Sequence, residues 1–183
     1  SNRGPAIQLV DSFIDTRVGQ SDAGAGGNVV LRGAGDGATS VDIQGGRIDA
    51  ATGSVTVRGV SSNYGEGVQI TSGGSDDAII TTTAGNIAIV GIGGSDSSAG
   101  AEGVRMEGAH VQSASGDVDV RGLAQGAGTT ASGVILEGAS LVAQAGRVLV
   151  AGQSEGSGLG IDLQGGSSSL SSHAIDGQQG VVL

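Results

Sequence analysis

Residues 103–122 read GVRMEGAHVQSASGDVDVRG, and residues 133–152 read GVILEGASLVAQAGRVLVAG. The two stretches share their glycines and the places where large aliphatic side chains fall, and they differ at most positions between. A pattern that keeps its spacing while its polar residues change constrains a backbone rather than a reaction. It is the mark of a repeated structural unit.

The same skeleton runs through the chain in three blocks. The first is aliphatic–x–aliphatic followed closely by glycine: Ile7/Leu9, Val41/Ile43, Val68/Ile70, Val104/Met106, Val134/Leu136 and Ile161/Leu163. The second centres on Ile14, Ile48, Ile80, Val111, Leu141 and Ile175. The third reads Gly-x-aliphatic-x-aliphatic: Val29/Leu31, Val55/Val57, Ile87/Ile89, Val118/Val120 and Val148/Val150, with a sixth copy reaching Gly180 and Val182. Copies start near 7, 41, 68, 104, 134 and 161, so they lie 34, 27, 36, 30 and 27 residues apart. In copies two, four and five the three blocks sit seven residues apart. Extra residues enter only between blocks: at Gln20 to Gly26, around 73–77, at Ser167 to His173, and in the connection 91–103. Loops beside strands tolerate length changes in this way.

Each block is short, alternates apolar with polar and is largely β-branched, which predicts a strand with one buried face. The seven-residue spacing also suits a coiled coil, but glycine at every block junction and scarce helix formers exclude one. Three short strands per copy with glycine corners predict a single repeat segment spanning residues 1–183. The expected fold is all-β: a right-handed parallel β-helix of about six rungs, roughly 25–30 Å tall at the usual inter-strand spacing. The right hand is expected because rungs are long and variable, and no strict hexapeptide repeat is present. Stacked Val, Ile and Leu columns would form one continuous core. That resolves a compositional puzzle, since Phe13 and Tyr64 are the only aromatics and a core without them must find its buried area elsewhere. Collagen is excluded because Pro5 is the only proline, and a flexible linker because the aliphatic residues recur regularly.

The skeletons GVQI…GNIAIVG (67–91), GVRMEGAHVQSASGDVDVRG and GVILEGASLVAQAGRVLVAG resemble the shaft repeats of large bacterial exoproteins of the filamentous haemagglutinin type. Autotransporter passengers share this Gly/Val grammar. The resemblance runs from about Ile7 to the C-terminus. It implies a β-helical stalk that is exported across the outer membrane by a transporter and serves adhesion or the display of a distal region. The Asn-Pro motif of the secretion domain in such exoproteins is absent, since Pro5 follows Gly4.

Other features bound the function. The chain carries 18 acidic and 8 basic residues, a net charge of −10, and every basic residue is arginine. No cationic cluster is visible to neutralise phosphates, which argues against nucleic acid. There is no cysteine, so no disulfide framework or thiolate metal site is expected. No apolar run reaches the length of a membrane span and no signal-peptide pattern is visible.

Candidate chemistry is sparse. Asp15, Asp49 and Asp176 each follow the central aliphatic of block two, and Asp15 with Asp49 falls on neighbouring rungs as a hydrolytic carboxylate pair would. The same pattern makes them outward-facing polar residues, and no Trp offers a sugar-stacking platform. Asp76, Asp77 and Asp96, in the strings GGSDD and GGSDS, are the calcium candidates, because calcium takes several hard oxygen ligands on flexible loops. The strings depart from the Gly-Gly-x-Gly-x-Asp core of toxin-type β-rolls and do not recur in tandem. Arg32, Arg58 and Arg121 fall at one position of block three, with Val90 and Ala151 in other copies. Arg32 and Arg58 would stack and repel unless a carboxylate or ligand separates them. Glu107 and Glu137 form a similar acidic pair. His110 shares its place with Arg47, Ile79 and Ser140 and reads as a surface strand residue; His173 has no spaced companion ligand.

The expected protein is therefore no enzyme, has no catalytic or cofactor residues, and forms a structural stalk segment of a secreted bacterial adhesin-like exoprotein at the cell surface. Its expected partners are a host or cell-surface receptor and an outer-membrane transporter. Missing caps at the ends suggest a fragment of a longer chain or head-to-tail self-association into a stacked fibre. The remaining alternative is a polysaccharide-acting β-helix enzyme. Tyr64, Phe13 and Arg58 on one exposed face would favour a binding module.

Overall fold

The computed structural model describes residues 4–18, 25–74, 76–95, 101–126, 131–165, 167–172 and 181–183. Each rung contributes three strands in chain order. The first holds β1 (Ile7–Val10), β2 (Phe13–Asp15) and β3 (Val29–Gly35), and the second β4 (Val41–Gln44), β5 (Arg47–Asp49) and β6 (Val55–Ser61). The third holds β7 (Val68–Thr71), β8 (Ile79–Thr82) and β9 (Ile87–Ile92), and the fourth β10 (Val104–Glu107), β11 (His110–Ser113) and β12 (Val118–Ala124). The fifth holds β13 (Val134–Glu137), β14 (Ser140–Ala143) and β15 (Val148–Ser154), and the sixth β16 (Ile161–Gln164), β17 (Ser169–Ser172) and β18 (Val181–Val182). No described residue is helical.

Strands from the same block pair in parallel, giving three six-stranded sheets: sheet one from β1 to β16, sheet two from β2 to β17, and sheet three from β3 to β18. Five stacking steps join the six strands of each sheet, so the chain forms a β-solenoid with three strands per rung. The register follows the sequence blocks: Ile7 pairs with Val41, Val41 with Val68, Val68 with Val104, Val104 with Val134, and Val134 with Ile161.

Side chains alternate along each strand, so one residue of every pair points to the axis. Val41, Val68, Val104 and Val134 are fully buried in one column, and Ile70, Met106 and Leu136 in the next. Sheets two and three add Ile80, Leu141, Val55, Val57, Ile87, Ile89, Val118, Val120, Val148 and Val150. These residues form one cluster, against which the partly buried Ile7, Leu9, Ile14, Leu31, Ile161 and Leu170 pack. Each end strand has a neighbour on one side only, which leaves its inward residue less covered.

Two corners show why glycine recurs. Between sheets one and two, Gly45, Gly108, Gly138 and Gly165 all have positive φ, and Asp11 at the same place in the first rung has φ 44. Glycine reaches that region without strain, and aspartate is among the few other residues that tolerate it. In the middle of sheet three, a β-carbon on Gly59, Gly91, Gly122 or Gly152 would overlap a backbone carbonyl at the start of sheet one. Between sheets two and three the polar atoms are satisfied from inside. Thr82 Oγ1 donates to the Gly85 carbonyl at 2.6 Å, Ser113 Oγ donates to the same carbonyl at 2.9 Å, and Ser172 Oγ donates to the Gly146 carbonyl at 2.7 Å.

The sixth rung departs from expectation twice. Its second strand is Ser169–Ser172, in which Leu170 pairs with Leu141 and so takes the place in the sheet-two column expected for Ile175, a residue outside those described. The segment expected as a loop, Ser167 to His173, contains that strand. Its serines read as turn composition, whereas a single leucine in the column is enough to seat it. Val148 pairs with Val181, one residue earlier than the Gly-x-aliphatic spacing places Val182. A two-residue strand buries too little to specify register as strongly as its longer neighbours do.

Candidate functional site

The outward residues divide among three faces. On sheet two, Asp15 and Asp49 are register partners, as their spacing predicts. Each is committed locally. Asp15 accepts the Arg17 backbone N–H at 2.9 Å and the Arg17 guanidinium Nε at 2.8 Å. Asp49 accepts the Ala51 N–H at 3.0 Å and the Arg47 guanidinium at 2.8 Å. Both carboxylates thus close the same turn at the end of a sheet-two strand, the Asx geometry. The Arg17 hydrogen bonds hold the Asp15 carboxyl below its ordinary value of 3.8, the opposite of what a proton donor in a hydrolytic pair needs. In the sixth rung the residue aligned with Val142, and through it with Asp49, is Ser171. Asp176 itself lies outside the described residues, as does His173.

Of the calcium candidates, Asp76 and Asp77 are exposed and Asp96 lies outside the described residues. Asp77 faces His110, with Oδ2 3.4 Å from Nε2. Among the described residues no three carboxylates or histidines are grouped closely enough to hold a metal ion.

On sheet three, Arg32 pairs in register with Arg58, and Arg121 lies between Val90 and Ala151. Of these three only Arg121 has a carboxylate partner among the described residues, Asp119 two residues earlier at 2.8 Å; this raises the Arg121 pKa. Among the described residues no carboxylate forms an ion pair with Arg32 or Arg58. Their side chains stand beside Val30, Thr56 and Val60 on an outer surface that also carries Ile92 and Leu123. Phe13 is on sheet two, Arg58 on sheet three and Tyr64 on the corner after β6, so the three do not share a face.

Sheet one is different. The corner leading into it places Thr39, Glu66, Glu102, Ser132 and Leu159 in one column, each aligned through the backbone bonds Ser40 N–H to Glu66, Gly67 N–H to Glu102, Gly103 N–H to Ser132 and Gly133 N–H to Leu159. The next outward column holds Gln8, Asp42, Gln69, Arg105, Ile135 and Asp162. The following one includes Glu107 and Glu137, neighbours as predicted, each near Arg105 at 3.8 and 3.6 Å. Six carboxylates, Asp42, Glu66, Glu102, Glu107, Glu137 and Asp162, thus meet one arginine on this side of the described chain. Burial is the main reason that Asp42 and Glu102 have raised pKa values, with the Glu66 charge adding to both. Asp42 accepts the Gln8 and Gln44 amides through Oδ2, while its buried Oδ1 has no partner.

The last three rungs of this side form a cleft of about 380 Å³ lined by Glu102, Arg105, Ser132, Ile135, Leu159 and Asp162, among others. Glu102 and Asp162 carried no signal in the sequence, because the columns they occupy also hold Thr, Ser, Leu, Gln and Ile. No protein-family model matches the chain, and no curated protein or solved structure matches it significantly.

Proposed function

We propose that the chain is a structural stalk segment of a secreted bacterial adhesin-like exoprotein, holding a distal adhesive or effector region away from the cell. The observation that supports it is continuity. All three sheets keep one register through six strands, and the aliphatic columns pass from rung to rung as one core. A solenoid of this kind gains stability by adding near-identical interfaces, so its length can grow without redesign. Charges at strand ends, such as Asp15 with Arg17 and Asp49 with Arg47, are consumed in local turns rather than directed at a substrate. The resemblance to haemagglutinin-type shaft repeats points the same way and brings with it an outer-membrane transporter and a surface receptor as partners.

The test is an epitope inserted between Ser95 and Ala101 in the gene in its own cell. On intact cells the reading expects antibody labelling at the surface, lost on deletion of the transporter. An epitope detectable only after lysis would overturn it.

A further inference from the structure

We propose that the cleft on sheet one is a docking site for a lysine side chain of another polypeptide. Ile135 carries the first part of the case. It points outward from β13, between the register partners Arg105 and Asp162, yet is only 3% exposed. An outward isoleucine is buried on a solenoid only if neighbouring groups rise around it, which makes the surface concave there. Ser132, beside it on the corner, is equally covered, and Leu159 supplies an apolar wall that is itself 55% exposed. The lining is therefore mixed, with one apolar wall at Leu159, and the site is open to solvent.

The charges supply the second part. Glu102 is 6% exposed and lines the cleft. Its carboxylate is held by its own backbone N–H and makes no ion pair among the described residues; Glu66 beside it adds repulsion, which a smaller attraction from Arg105 offsets only in part. Asp162 lies two rungs away and accepts the Gln164 amide at 2.6 Å. The one cation present, Arg105, is drawn towards Glu107 and Glu137. A buried carboxylate without a counterion is costly, and a cation that reaches it recovers that cost. An aliphatic stem with an ammonium head matches this arrangement: methylenes lie on Leu159, and the head sits at the acidic rim. A guanidinium fits less well, because the two carboxylates stand on separate rungs and no aromatic ring is present to stack on. Residues 1–183 contain no lysine, so none of them can fill the site.

A fluorescein-labelled hexapeptide of alternating lysine and glycine, titrated against the whole chain by anisotropy, tests the assignment. Saturable binding is expected, weakened by at least about tenfold in Glu102→Gln and in Asp162→Asn. Glu155→Gln removes the same charge outside the cleft and should change affinity by no more than about twofold. Arg105→Gln removes the competing cation and should tighten binding, an outcome that misfolding cannot produce. Equal loss in Glu155→Gln and Glu102→Gln would reduce the effect to bulk charge and overturn the proposal. So would unchanged binding of the Nε-acetylated peptide, or weaker binding to Arg105→Gln.

Discussion

Gly122 on β12 faces the carbonyl oxygen of Gly133, the residue before β13, so closely that a β-carbon on Gly122 would overlap that oxygen. The same approach is made by Gly91 to Gly103 and by Gly152 to Gly160. These contacts carry the chain from sheet three across to sheet one, and the long third strand bends around them.

Gly122→Ala should therefore destabilise the solenoid by about 1–3 kcal/mol, the usual cost of forcing atoms into a filled interior. The measurement is the urea midpoint at constant slope. Gly74→Ala is the control: a β-carbon there meets nothing within 4 Å, and the change should stay within about 0.5 kcal/mol.

Leu136 is fully buried and Leu159 is 55% exposed, although both belong to the same rung-to-rung system. Leu136→Ala should cost about 2–5 kcal/mol through lost burial and the remaining cavity. Leu159→Ala should cost well under about 1 kcal/mol. Comparable losses in both would mean that the aliphatic columns are not the core.

Glu102 makes the stability of the chain depend on pH. Burial raises its pKa above the ordinary 4.5, so the folded state holds a proton that the unfolded state has already released. Stability contributed by this group is thus fully present below 4.5 and is lost as pH rises through the raised folded value. Wild type should lose stability across that window, and Glu102→Gln should show a shallower decline. Denaturant unfolding at a series of pH values checks it; identical slopes would contradict the assignment.

Arg32 and Arg58 are aligned neighbours with like charge. Arg58→Glu converts the pair into an attraction and should stabilise the fold by about 0.2–1 kcal/mol at low salt. The gain should fade at high salt, because both side chains are exposed. Thermal melts at the two ionic strengths separate this from a change in strand propensity, which salt would not remove.

The strands were legible in the sequence wherever a rung repeated its own spacing. Val41, Val68, Val104 and Val134 could be aligned by eye, because each rung touches only its neighbours and register is set locally by the alternation of apolar and polar residues. The reading failed in the sixth rung, where Leu170 lies among serines and Ile175 offered a better-looking match. Composition favoured the β-branched residue, while stacking on Leu141 chose the leucine. Asp15 and Asp49 were correctly placed as neighbours, but spacing could not show that Arg17 and Arg47 had already engaged them.

The amino-acid sequence by itself determined the three strands of the first five rungs, their inward columns and most of the register, since all of these follow from a period that repeats along the chain. Only the tertiary structure decided that Glu102, Ile135 and Asp162 line one cleft. They come from three different rungs, and the burial of an outward isoleucine depends on how corners of unequal length rise beside the sheet. Corner shape is not periodic, so no spacing encodes it.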